Sequence, residues 1–115
     1  MRVAIPTRKG QIEAVFSRAE EFTIYDVEIE LVKSKVTVSN RKRDLGSFLV
    51  EEAINVMICG RIYSGARNIL RVKRIELLYG VSGEADDIMI RYLSGERLGN
   101  VDENAFWSEA KEGLV

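Results

Sequence analysis

Cys59 is the only thiol in a 115-residue chain that contains no histidine. Losing imidazole removes the commonest general base and the commonest metal ligand together. Any chemistry must come from that thiol, from carboxylates, tyrosines and guanidinium groups, or from the backbone. Cys59 stands in "VMICGRIYSGA" (56–66), where an apolar run meets Gly60, Arg61, Ser64 and Gly65. A thiolate is the soft ligand suited to metal–sulfur clusters. Gly60 would let a backbone approach closely, and Arg61 would lower the thiol pKa or pair with an anionic cluster. One cysteine is too few for a four-thiolate cluster, so subunits would share one, or charge and backbone donors would hold it. The other reading of Cys59 is a buried cysteine acting as a small apolar side chain. "GRIYSGA" itself reads either as an anion cradle at a helix start or as a strand–helix turn in which Gly65 permits close packing.

The elements that would position these residues follow from periodicity. "RVAIPT" (2–7) reads as a buried strand, and 8–20 as a loop with a helical turn near Ser17. Residues 21–40 alternate apolar positions, including Tyr25, Val27, Val36 and Val38, and read as a hairpin turning near Glu28 to Glu30. Asp44 is placed to cap a helix carrying Leu45, Phe48, Leu49 and Ala53 on one face. "VMIC" (56–59) reads as a central parallel strand. Ser64 then caps a helix with Ala66, Ile69 and Leu70 facing inward. A strand at 75–80 and a helix at 84–95, stopped by Gly95, come next, and a weaker amphipathic helix is expected at 102–114. Strand–helix–strand units demand right-handed parallel crossovers, so the second half forms a parallel sheet covered by helices, with the hairpin added. Ligands in such sheets sit beyond the carboxyl ends of the strands. If 2–6 and 56–59 are neighbours, the crevice lies between Thr7 and Arg8 on one side and Cys59, Gly60 and Arg61 on the other.

Composition narrows the function classes. A chain 46% hydrophobic and 30% charged is globular rather than disordered. One cysteine, no membrane-length apolar run and no signal-peptide pattern in "MRVAIPTRKG" lead us to expect a cytoplasmic protein. Residues 41–74 hold 8 basic against 3 acidic side chains, and residues 75–115 hold 3 against 9. The basic middle lacks interleaved aromatics, and its charges suit helix ends, so neither nucleic acid nor membrane is an expected partner. Two-metal nuclease chemistry needs converging carboxylates, and the central strand "RVAIPT" has none. With no visible nucleophile–base pair, an enzyme is not expected.

Two blocks resemble the dinitrogenase iron-molybdenum cofactor biosynthesis family. One is "AIPT" with "VFSRAEEFTIYDVE" (15–28); the other is "VMICGRIYSGA", and "YLSGE" (92–96) also fits. The resemblance implies a ribonuclease-H-like three-layer α/β fold, a mixed five-stranded sheet with one antiparallel strand, and helices on both faces. It places that domain at 1–98, with a C-terminal helical extension at 99–115. It implies a carrier or chaperone for an iron–sulfur or molybdenum-containing cluster or an oxoanion, acting as monomer or homodimer and delivering to an apo-protein acceptor. The implied site is Cys59 (as metal ligand), Gly60, Arg61, Ser64, Gly65, Thr7, Arg8 and Arg18. The alternative is a metal-free binding or regulatory module for a protein partner or phosphate-bearing ligand. Val15 stands where the family usually has histidine, Ser17 and Arg61 replace glycines, and Tyr63-Ser64 alters the loop before Gly65.

Overall fold

The computed structural model describes residues 1–39 and 43–101. Its strands are β1 (Arg2–Arg8), β2 (Gln11–Ile12), β3 (Glu21–Glu28), β4 (Leu31–Ser39), β5 (Val56–Ile58), β6 (Glu76–Tyr79) and β7 (Asn100–Val101). The helices are α1 (Leu45–Glu51), α2 (Ser64–Val72) and α3 (Ala85–Leu93), with a single 3₁₀ turn at Phe16–Arg18. One mixed sheet runs β4-β3-β1-β5-β6-β7, with β2 folded back onto β1. The sheet therefore has seven strands rather than the expected five. The two extra strands, β2 and β7, each hold two of the described residues, too few to carry an alternating pattern. Of the five longer strands, only β3 runs against β1.

Pleat alternation splits each central strand between two cores. Val3, Ile5, Tyr25, Val56, Ile58 and Leu78 pack with Ala85, Ile88 and Met89 of α3. Ala4, Phe22, Ile24, Met57, Cys59 and Leu77 pack with Phe48 and Leu49 of α1 and Ala66 and Leu70 of α2. Helices thus cover both faces, as expected. Asp44 caps α1 by accepting from Ser47 N at 2.8 Å. Ala53 does not share the α1 face: the helix has ended, and Ala53 is exposed in the left-handed region at φ 52°. Ile69 is likewise 36% exposed rather than inward, because Ala66 and Leu70 alone fill the contact with the sheet. Gly95 (φ +86°) follows α3 as a stop, its N–H donating to the Tyr92 carbonyl. The helix expected at 102–114, and so most of the 99–115 extension, lies outside the described residues.

The β3–β4 turn puts Ile29 and Glu30 at φ 51° and 60°. Two consecutive left-handed residues make the turn that suits a two-residue hairpin, ordinarily Asn-Gly. A β-branched residue there is strained, and Ile29 is 88% exposed, so no burial offsets the strain. Replacing Ile29 by Asn and Glu30 by Gly should stabilise the fold by about 1–2 kcal/mol, seen as a higher urea midpoint at unchanged m-value. An unchanged or lower midpoint would show that the tip is not strained.

Candidate functional site

β1 and β5 are parallel neighbours, Val3 opposite Val56 and Ala4 opposite Met57. The crevice expected beyond their carboxyl ends is filled by the chain itself. After β1 the Lys9-Gly10 turn, both residues at positive φ, sends β2 back along β1. Glu13 N–H then donates to the Pro6 carbonyl at 2.8 Å. Val15 forms a parallel bridge with Arg61, held by Arg61 N–H to the Ala14 carbonyl and Phe16 N–H to the Arg61 carbonyl, both 2.8 Å. The segment 13–16 therefore roofs the end of β5, and "VFSRA" is hydrogen-bonded to "CGR".

Cys59 lies beneath that roof, fully buried among Phe16, Met57 and Ala66. Its N–H donates to the Leu78 carbonyl, and its carbonyl accepts from Val81 N–H. Burial pushes the thiol up to about 12, with Arg67 opposing the shift by its charge. Arg67 is itself held over the Tyr79 ring at 4.5 Å. In this state Cys59 is a neutral packing group rather than a thiolate. Gly60 is buried against the roof, with no room for a side chain. Arg61, Ser64 and Gly65 are exposed at the surface that follows. The residue capping α2 is Tyr63, not Ser64, and it makes no side-chain cap bond.

Thr7, Arg8 and Arg18 come together elsewhere, in an open cavity of about 410 Å³ at the end of β1 that also includes Lys9, Glu13, Glu20, Glu21 and Ser39. Arg8 Nε is 3.3 Å from Glu13 Oε2. Lys9 and Arg18 make no ion pair among the described residues. The structure thus divides the eight candidate residues: three line this cavity, two lie under the roof, and three sit on the outer surface. Lys9 and Glu13 were not among the candidates. The Lys-Gly turn signal directly after a buried strand was the one feature able to flag them.

A second cavity, of about 320 Å³, opens on the α3 side of the same sheet end. There the hydroxyls of Thr7, Thr23 and Thr37 form a row across β1, β3 and β4, at 2.8 and 3.1 Å. Tyr25 Oη donates to Asp86 Oδ1 at 2.6 Å, and Lys35 Nζ reaches the same carboxylate at 2.9 Å. The Tyr25 hydroxyl bond and Lys35 hold the Asp86 carboxyl below its usual value, while burial and Asp86 push the Tyr25 hydroxyl well above its own. A depressed carboxyl stabilises above its unfolded pKa and loses that contribution as pH falls through the folded one. Asp86→Asn should therefore flatten the acid limb of the stability–pH curve below pH 4, read by thermal melts. An acid limb identical to the parent's would rule this role out.

Among the described residues no three histidine, cysteine or carboxylate side chains converge on a metal position. No described helix is long and apolar enough to cross a membrane. The family model described as dinitrogenase iron-molybdenum cofactor matches residues 1–95. The chain belongs to the dinitrogenase iron-molybdenum cofactor family. Among solved structures it is similar to that of PH0822, with TM-score 0.80 and 25% identity, covering 89% of this chain and 97% of that one. It also resembles a protein from Methanocaldococcus jannaschii provisionally assigned as a dinitrogenase, with TM-score 0.71 and 26% identity over 84% of this chain and 90% of that one. The apo form of the orange protein from Desulfovibrio gigas shares the fold, with TM-score 0.72 at 18% identity over 87% of this chain and 93% of that one. No curated protein matches the chain. Family membership links this small protein to metal-cofactor work in general terms, and the two blocks that carried the resemblance are the two segments hydrogen-bonded at the roof.

Proposed function

We propose that the protein is a cytoplasmic, non-catalytic carrier of a metal–sulfur cofactor of the iron–molybdenum type, or of an oxoanion precursor, which it passes to an apo-protein acceptor. The observation that carries this reading is the cavity at the end of β1, where Lys9 and Arg18 make no ion pair among the described residues and stand beside the Arg8–Glu13 pair, with Glu20 and Glu21 also in the lining. Those cations, with Thr7, suit an anionic cargo held by charge and hydrogen bonds. Such holding needs no histidine and no set of thiolates. Cys59 would add a sulfur ligand only after the 13–16 segment lifts. We also read the β4-β3-β1-β5-β6 core as ribonuclease-H-like, since β3 alone runs against the other four strands.

The test is anaerobic titration of the purified protein with molybdate and with tetrathiomolybdate, followed by visible absorption and metal analysis. The expected result is uptake by the parent and at least tenfold weaker uptake by Arg18→Ala. Cys59→Ala should leave first binding unchanged. Loss of uptake in Cys59→Ala with none in Arg18→Ala would move the cargo to the thiol. No uptake by the parent would end the carrier reading, and binding of inorganic phosphate in its place would establish the metal-free alternative.

A further inference from the structure

Among the described residues β4 is an open edge: its nine residues pair with β3 alone, and it closes one side of the sheet. Eight of the nine are exposed, the exception being Val38, which leans on the α1–α2 core. An antiparallel neighbour uses alternate backbone groups of a strand. The remaining N–H and C=O groups of β4 point away from β3, where no strand of the described residues lies. The opposite edge, β7, offers two residues among those described. Long edges are usually blunted by proline, a bulge or charge. Here the bulge sits at Asp26/Val27, near the turn, and leaves the run from Ser34 to Ser39 regular against β3.

We propose that β4 is a docking edge for an extended, acidic segment of a protein partner, which adds to the sheet as a further strand. Strand addition draws affinity from main-chain hydrogen bonds and specificity from alternate side chains. Both charged residues of β4 are lysines, Lys33 and Lys35, and there is no acid between Glu30 and Asp44. A second copy joined through β4 would set lysine against lysine, a like-charge pairing that disfavours self-association. Lys35 is already held by Asp86 at 2.9 Å, so the charge an acidic strand would meet is that of Lys33. Val32 and Val36, 41% and 48% exposed, flank the lysines on opposite faces of the sheet, Val32 opposite Val27 and Val36 opposite Ile24, and each offers one apolar contact. The edge lies on the far side of β3 from β5 and reaches the cargo cavity only at Ser39, so a docked strand would leave the cavity's cations in place.

The full chain, isotopically labelled, is titrated with a nine-residue peptide alternating glutamate and valine, and with its lysine–valine counterpart. The acidic peptide should shift and protect the amides of residues 31–39, with affinity at least tenfold above that of the basic one. Lys33 makes no ion pair among the described residues, so Lys33→Glu should narrow or reverse that preference without changing the thermal midpoint. Equal binding of the two peptides, no binding, or shifts confined to β7 or α2 would overturn the proposal. So would dimerisation of the chain through β4. The readout needs no metal, so it can fail while the carrier reading survives, and the reverse also holds.

Discussion

Gly60→Ala is expected to be strongly damaging, as is Gly99→Ala, whose Cβ would press on the Tyr79 carbonyl oxygen. A Cβ at Gly60 would lie 2.5 Å from the Ala14 carbonyl oxygen and 3.0 Å from its carbon. These are backbone atoms, so no rotamer change relieves the clash. The roof must move, and it is tied down on both sides by Arg61 N–H to Ala14 and Phe16 N–H to Arg61. Either those bonds break or the end of β5 shifts, and both routes disturb the packing of Phe16 on Phe22, whose centroids are 5.9 Å apart. The expected loss is about 3 kcal/mol, at the upper end of overpacking costs and a large share of the stability of an ordinary domain. Gly65→Ala is the control. Its Cβ would meet only the Tyr63 ring, at 3.2 Å, and that ring is half exposed and able to swing aside. The change should stay within about 1 kcal/mol of the parent, since alanine also favours the helix. Urea unfolding of both variants decides the matter. If they are equally stable, the close approach of the roof is not what fixes Gly60.

The second large effect concerns the thiol. With its pKa pushed from 9.0 up to about 12, Cys59 in the native protein should resist alkylation at pH 8 and react only through opening of the roof. Labelling should be orders of magnitude slower than in the urea-unfolded chain. The linkage has a definite sign. The folded state keeps its proton where the unfolded chain has lost it, so stability is full below pH 9 and declines between 9 and about 12. The slope from this group reaches at most about 1.4 kcal/mol per pH unit. Cys59→Ala should abolish that part of the alkaline decline. Rapid stoichiometric labelling of the native protein, with far-UV circular dichroism intact, would show instead that the thiol stands open to ligands.

Much of the architecture was legible because it rests on local periodicity. The alternation of Tyr25 and Val27 and the fully apolar "VMI" placed the longer strands, and Asp44 announced α1 through its capping chemistry. What escaped were features decided at long range. β2 and β7 exist because the chain returns to a strand already in place, and two residues cannot advertise that. Ala53 fits the α1 period, yet the chain turns there into a left-handed residue to reach β5. The candidate residues could be named from the sequence, and their arrangement could not. The expected crevice set Thr7 and Arg8 beside Cys59, Gly60 and Arg61, and no pattern in "QIEAVF" indicates that this segment would run between them. Thr7 and Arg8 therefore part from Cys59, and Lys9, the cation at the turn, joins them instead.

The position of β1 in the sheet has a kinetic consequence. On one side its neighbours β3 and β4 follow within the first 39 residues and are joined by a two-residue turn. On the other side β5 and β6 arrive only through helical crossovers, from more than 50 residues away. Loop closure is fast and inexpensive for the near half and slower for the far half. A ribosome would thus release a β1–β3–β4 meander, with Phe22 and Ile24 still uncovered, before α1 and α2 exist to shield them. During that interval the lysines of β4 give the growing chain its guard against pairing with another copy of itself.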